Sequence, residues 1–292
     1  MRVFVTGGTG FTGSQLVPLL LKEGCQVRCL YRPTSDRSGL LSAHPDIEWV
    51  EGDLSRTQSL ASAMHGSDVL VNIASLGFGH ADSILHAAQT VGIVRAIFIS
   101  TTAIFTRLDA KSRKVRVAAE LSIEMSGMQY TILRPTMIYG GPRDRNMWRL
   151  IRFLRYSPVI PVFGDGLSLQ QPIHVNDVAR AVVGCLSSGK TVCKSYNIAG
   201  KHPLTYNAVI DTIAGQLKKP VWKWHIPSAP VIALLSFFEH LRIPLPIKVE
   251  QVQRLNENKN FSTSEAERDF GFRPLSFEEG VGMEVIAYNR FR

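Results

Sequence analysis

Apolar and polar positions fall along this chain in blocks whose lengths predict strands and helices by turns. Val3, Phe4 and Val5 form a short β-rich run ahead of a glycine-rich turn. Ser14 to Glu23 follows at helical length and closes at Gly24. Pro18 falls inside that helix and removes an internal hydrogen bond, which predicts a kink or a late start. Gln26 to Tyr31, Ile47 to Val50, Val69 to Ile73 and Arg95 to Ser100 read as further strands, with helical segments at Leu60 to Met64 and Ala81 to Thr90. Repetition of strand and helix with short loops predicts a parallel sheet covered on both faces. Tyr130 to Leu133 adds another strand. Asn146 to Tyr156 reads as an amphipathic helix, with Met147, Leu150, Ile151 and Leu154 on one face and Arg145, Arg149 and Arg152 on the other. The basic face reads first as solvated, and second as a stripe that attracts diphosphate or acidic lipid.

Composition narrows the class. The 292 residues allow one large α/β domain or two interlocked ones, and an apolar content of 45% is ample for a core. No basic segment leading into an apolar signal run opens the chain, and no apolar run approaches the roughly 20 residues of a membrane span. The expectation is a cytoplasmic protein with no transmembrane segment. Cys25, Cys29, Cys185 and Cys193 form no C-x-x-C pair and no His/Cys cluster, so they read as reduced, mostly buried and without metal. The formal charge of +9 favours anionic partners without naming a function. No nucleic-acid module or aromatic platform accompanies it, which sets nucleic acid aside. Ala229 to Phe238 is almost wholly apolar and lies within the proline-framed segment Pro227 to Pro246. It reads as a lid or packing helix. Peripheral membrane contact, helped by Lys218, Lys219 and Lys223, or a partner surface is the weaker alternative.

The chemistry is concentrated at the start. Gly7, Gly10 and Gly13 stand at G-x-x-G-x-x-G spacing within Thr6-Gly-Gly-Thr-Gly-Phe-Thr-Gly13, between a strand and a helix. That context points to a dinucleotide, because glycine lets backbone approach a pyrophosphate and the helix N-terminus offers free N–H groups to the anion. The alternative is a tight turn with no ligand. After the second strand, where an Asp or Glu would accept from ribose hydroxyls, the chain has Tyr31-Arg32, with Arg37 close behind. An arginine there suits a 2′-phosphate, so NADP(H) is favoured over NAD(H); the alternative is a solvated surface side chain.

These residues resemble the extended branch of the short-chain dehydrogenase/reductase superfamily, the NAD-dependent epimerase/dehydratase family. Arg134-Pro-Thr-Met-Ile-Tyr-Gly140 and Ile173-His-Val-Asn-Asp-Val-Ala179 resemble two later stretches of that family. The resemblance implies a Rossmann fold, a doubly wound parallel sheet with a smaller C-terminal α/β substrate lobe. Residues 1–141, with 171–188 returning, would form the dinucleotide-binding domain, and 142–170 with 189–292 the lobe. It implies a cofactor cradle of Gly7, Thr9, Gly10, Phe11, Thr12 and Gly13, with Arg32 at the ribose. Asp53 and Leu54 would meet adenine, Ala74 and Ser75 would pack beneath the cofactor, and Pro135 would lie against the nicotinamide. His174 and Asp177 read as structural.

The resemblance also implies a Ser or Thr at the substrate's reacting oxygen, here Thr102, where the alternative is a hydroxyl serving local backbone. It implies a Tyr-x-x-x-Lys pair followed by a glutamate. Ala118-Ala119-Glu120 matches the tail of that pattern, which puts Arg116 at the lysine position and Ser112 at the tyrosine position. No tyrosine occurs between Tyr31 and Tyr130. A serine hydroxyl cannot replace a phenol as acid near neutrality, whereas Arg116 can hold a ribose or supply positive charge. It ends a basic run of Arg107, Lys111, Arg113 and Lys114, which is a solvated face or, beside a cleft, a collector of anions. Gln170 stands where family members carry a diphosphate-binding arginine. Two functions follow. One is an NADP(H)-dependent oxidoreductase or sugar-nucleotide-modifying enzyme working on an anionic or carbonyl compound through Thr102 and Arg116. The other is a non-catalytic NADPH-binding assembly or redox-sensing protein. The sequence does not give the oligomeric state.

Overall fold

The computed structural model describes residues 1–108, 110–241, 243 and 248–290. The far end of the Pro227–Pro246 segment lies outside the described residues. The chain opens with β1 (Arg2–Thr6), α1 (Gly13–Lys22), β2 (Gln26–Tyr31), α2 (Ser38–Ala43), β3 (Glu48–Glu51) and α3 (Thr57–Met64). It continues with β4 (Val69–Asn72), α4 (Ala81–Thr90), β5 (Arg95–Ile99), α5 (Lys111–Glu124) and β6 (Gln129–Pro135). Then come β7 (Ile138–Tyr139), α6 (Met147–Tyr156), β8 (Val159–Phe163), β9 (Leu169–Gln170), β10 (Ile173–His174) and α7 (Val175–Ser187). The remainder holds β11 (Lys194–Ile198), β12 (Leu204–Thr205), α8 (Tyr206–Leu217), β13 (Trp222–Ile226), α9 (Ser228–His240), α10 (Val249–Leu255), α11 (Ser264–Phe270) and α12 (Phe277–Arg290).

Seven strands form one sheet in the order β11-β6-β5-β4-β1-β2-β3, and every pair is parallel. The strand order reverses between β1 and β4, the switch point at which ligands bind in such sheets. Side chains alternate along each strand, so β1 sends Val3 and Val5 to one face and Phe4 to the other. The first face packs on Leu16, Val17 and Leu20 of α1 and Val178 and Val182 of α7. The second packs on Leu60 and Met64 of α3, Ile84 of α4 and Ile123 of α5. Each fully buried Leu, Val or Phe stabilises the fold by about 1.5–3 kcal/mol relative to exposure. This is the doubly wound arrangement that the strand pattern predicts.

The smaller lobe has its own core, built by Met147, Ile151 and Leu154 of α6, Ile160 and Val162 of β8, Ile210 and Ile213 of α8, and Val281 and Val285 of α12. One expected boundary needs correction. Residues 189–292 were assigned wholly to the lobe, yet β11 pairs with β6 as the edge of the main sheet, and Ala266 of α11 joins the core beside it. Tyr196 and Ile198 are buried there. The apolar alternation of a five-residue strand does not reveal which sheet it joins. The cysteines also depart from expectation: all four are free, but only Cys29 and Cys185 are buried, while Cys193 is exposed. Pro18 lies inside α1 and does not end it.

Candidate active site

The cofactor cradle follows from how α1 meets β1. A Cβ on Gly13 would stand 2.3 Å from the Gly7 carbonyl oxygen and 2.4 Å from that of Gly8, so only glycine lets the helix start this close. Gly7 adopts φ +72°, the left-handed region that favours glycine. Thr12, mostly buried, occupies the N-cap of α1 without a capping side-chain bond; the Ser14 N–H donates to the Gly10 carbonyl, so the helix end offers an anion chiefly the positive end of its dipole. The floor is tied down by a polar lock. The Thr6 hydroxyl donates to Asn72 Oδ1 at 2.6 Å, and Asn72 Nδ2 donates to the Ala74 carbonyl. Ala74 therefore sits at the mouth of the sheet, next to Gly7. Ser75 is committed locally, its hydroxyl accepting from the Gly77 N–H.

An arginine that sequence reasoning missed completes the cradle. Arg143, in the loop between β7 and α6, donates to the Thr9 carbonyl at 2.8 Å, and the Phe11 ring lies beside Gly141 of the same loop. At the adenosine end Arg32 is exposed. The Arg37 guanidinium lies 3.9 Å above the Tyr31 ring, an arrangement that fixes a cation by the end of β2. Hydrogen bonds from the Ser38 hydroxyl and N–H hold the Asp36 carboxyl below its usual range. Asp53 Oδ1 accepts from both the N–H and the hydroxyl of Ser55, and Leu54 packs on the core. Glycine contacts that no side chain could share, an uncapped helix end and flanking arginines together fit a dinucleotide.

Of the positions read as catalytic, Thr102 follows β5 and lines the space beside the sheet, while Ser112 and Arg116 lie on α5 and are not among the residues lining it. On α5 Arg116 Nη1 donates to the Ser112 hydroxyl at 3.1 Å, so the two residues share one face as their spacing requires. The guanidinium rests on Gly77, where an added Cβ would be 3.1 Å from Nε. Burial, then the charge of Arg254, lowers the Arg116 pKa from its ordinary value. Thr102 is buried and donates to the Pro135 carbonyl at 3.4 Å, a long bond that joins the ends of β5 and β6. Glu120 binds Arg134 through Nε at 2.9 Å and Nη2 at 2.6 Å, which locks α5 to β6. Glu120 thus serves structure, as do His174, which caps α7 through Nδ1, and Asp177, paired with Arg180. Burial pulls His174 down to about 4, so it is neutral at physiological pH.

Between the sheet and the lobe opens a cleft of about 590 Å³. Thr102, Met137 and Phe261 line it, and Arg145, Arg149 and Arg254 bring positive charge. Arg145, Arg149 and Arg152 are exposed, as the solvated reading of the basic face of α6 expects, and the first two also border the cleft. Gln170 does not act as a charged substitute: its Oε1 accepts from Lys259 Nζ at 3.0 Å. Burial pulls the Lys259 ammonium down to about 8. Glu257 spans the two lobes, accepting from the Thr106 hydroxyl at 2.8 and 3.0 Å and from the Arg107 N–H at 2.8 Å. The only tyrosine lining the cleft among the described residues is Tyr206, whose pKa burial raises. Arg254 and Lys259 carry no sequence signal, since the fold of the lobe alone brings them to the cleft.

The family model described as NAD(P)H-binding matches residues 7–188, from the first glycine to the end of α7. The chain belongs to this NAD(P)H-binding family. It is 26% identical over 281 residues to the mitochondrial NADH dehydrogenase (ubiquinone) 1 alpha subcomplex subunit 9 of Arabidopsis thaliana, covering 89% of this chain and 69% of that one. It is 24% identical over 337 residues to a 3 beta-hydroxysteroid dehydrogenase/Delta 5-->4-isomerase of Mycobacterium tuberculosis, covering 98% and 90%. The fold matches UDP-glucuronic acid 4-epimerase from Bacillus cereus, crystallised with UDP-glucuronic acid and NAD, at a TM-score of 0.78 and 18% identity over the whole of both chains. The NAD(P)H-binding chain thus has the extended short-chain dehydrogenase/reductase fold of the epimerases and dehydratases. Among its described residues no helix is long and apolar enough to cross a membrane.

Proposed function

We propose that this NAD(P)H-binding protein is an NADP(H)-dependent oxidoreductase acting on an anionic carbonyl compound held in the cleft. The observation that carries the reading is the open cleft itself, in which Thr102 and three arginines converge and which no described residue of the apolar 227–241 segment lines. Gly7, Gly10, Gly13, Thr9, Phe11 and Thr12 would hold the pyrophosphate, with Arg143 bracing the turn. Arg32 would take the 2′-phosphate through charge-assisted hydrogen bonds. Asp53 and Leu54 would receive the adenine, Ala74 and Ser75 would lie under the cofactor, and Pro135 would flank the nicotinamide. When bound, the nicotinamide supplies or accepts a hydride. Thr102 would turn its hydroxyl from Pro135 to the substrate's carbonyl oxygen and orient it. Arg116 would stabilise the oxyanion that develops there, as a fixed positive charge in a partly dry site. A water would supply the proton that a phenol gives elsewhere, since Ser112 cannot. Arg145, Arg149 and Arg254 would select a negatively charged substrate.

A second reading, a non-catalytic NADPH-binding assembly or redox-sensing protein, draws on one observation. Ser112 and Arg116 satisfy each other where a titrating pair would stand. NADPH fluorescence on the purified chain separates the two. Enhanced emission on binding, followed by decay only when anionic carbonyl compounds are added, supports the enzyme. Emission that persists through every compound supports the second reading, and no binding of NADPH or NADH removes both.

A further inference from the structure

The lobe presents an apolar, aromatic face that its own core does not use. β8 and β13 pair in parallel as a separate two-stranded sheet, with Trp222 opposite Val159, Trp224 opposite Pro161 and Ile226 opposite Phe163. Alternation sends Ile160 and Val162 into the lobe core. Lys223 and His225 of β13 lie on the face toward α8, where they bond to Asp211 and Asn207. The other face therefore carries Trp222 and Trp224 outward, 77% and 64% exposed, with Val159 beside them. The end of α6 extends it: Phe153 and Tyr156 are exposed. Lys219 Nζ donates to the Arg155 carbonyl, which ties the turn before β13 to the end of α6. Beyond β13, α9 has no buried residue, and Leu234, Phe237 and Leu241 form an exposed stripe at helical spacing. Two exposed tryptophans on one face of a strand, with Val159 opposite Trp222, form an apolar patch of the kind that marks an interaction surface.

The charges around this face say what covers it. Arg152, Lys218 and Lys219 are exposed at its rim, and among the described residues no carboxylate forms an ion pair with any of them. Asp211 of α8 is already paired with Lys223, and Glu239 of α9 accepts from the Val249 N–H. Tryptophan and tyrosine flanked by lysine and arginine is the composition of a water–lipid boundary: the rings sit among headgroups and the cations meet anionic phosphates. We propose that the β8–β13 face of the lobe docks this protein peripherally on an anionic lipid bilayer. The inference does not depend on what the cleft turns over. Trp222 and Trp224 insert at the headgroup level, and Lys218, Lys219 and Arg152 hold the surface by charge.

The test is co-sedimentation of the full chain with vesicles of phosphatidylcholine alone and of phosphatidylcholine mixed with phosphatidylglycerol, with tryptophan emission read in parallel. Binding to the mixed vesicles only, reversal by salt and a blue-shifted emission are expected. Trp222→Ser with Trp224→Ser, and separately Arg152→Glu with Lys218→Glu, should each lower the bound fraction roughly tenfold or more, the charge pair because each surface cation contributes about one factor of five. Both pairs are exposed, so the circular-dichroism melt should stay unchanged. If the tryptophan pair fails to fold, the charge reversal decides. Wild-type protein that stays in the supernatant with mixed vesicles overturns the proposal. So does equal binding to neutral vesicles, or binding that survives both pairs of substitutions. A dimer in lipid-free solution that these substitutions dissolve, with no vesicle binding, would assign the face to a second copy instead.

Discussion

A methyl group on Gly13 would press on backbone atoms of Gly7 and Gly8, which cannot swing aside as a side chain can. Gly13→Ala should cost about 3 kcal/mol of stability and abolish NADPH binding, read as a lowered melting temperature and lost fluorescence enhancement. Arg32→Glu, on an exposed side chain, should leave the melt unchanged. It should weaken NADPH roughly tenfold to a hundredfold while sparing NADH, because it removes only the charge-assisted contact to the 2′-phosphate. Equal losses for both cofactors would move that role to Arg37 or Arg143. The cradle was legible because its requirements are local: glycine spacing, a strand before it and a helix after it. Arg143, Arg254 and Lys259 were not legible, because each reaches the site through contacts set by how the lobe folds back.

Among the elements, the tie between α5 and β6 brings together two stretches that sequence reasoning took separately. Glu120 is buried against Arg134, and the Arg134 guanidinium also lies 5.5 Å from the Phe105 ring centroid. Glu120→Ala should cost about 3 kcal/mol, as removing one partner strands a buried charge. Glu120→Leu combined with Arg134→Met should recover much of that loss in a urea melt. Because α5 carries Ser112 and Arg116, the single substitution should also raise the KM of any reductase activity before it lowers kcat. The long strands were readable from continuous apolar runs. The two-residue strands β7, β9, β10 and β12 were not, since two residues carry no period. Amphipathicity shows that the basic face of α6 is polar and solvated, as its exposed arginines are, but not that Arg145 and Arg149 also border the cleft.

At the scale of the molecule, a buried carboxyl pair lies where the two lobes join. Asp144 caps α6 by accepting from the N–H groups of Asn146, Met147 and Trp148, and Glu284 of α12 accepts from the Gly141 N–H at 3.2 Å. Burial, then the Asp144 charge, pushes Glu284 from its ordinary 4.5 up to about 8. Folded protein therefore holds this proton more tightly than unfolded chain. Its stabilising effect is complete below about pH 4.5 and is lost as pH rises toward about 8. His174 acts in the opposite sense at lower pH, between about 4 and 6.5. Lys259 acts only above about 8. From pH 6.5 to 8 stability should fall by up to about 2 kcal/mol, and Glu284→Gln should flatten that slope in melts across the range. The return of the chain to the main sheet has a practical corollary. The family match ends at residue 188, but β11 begins at Lys194 and covers β6. A polypeptide cut after the match would keep every cofactor-binding residue named above and bare the flank of β6, an open strand edge that recruits other chains. Such a fragment should aggregate on expression, whereas one continued through α12, which restores both β11 and the lobe core, should resist clumping.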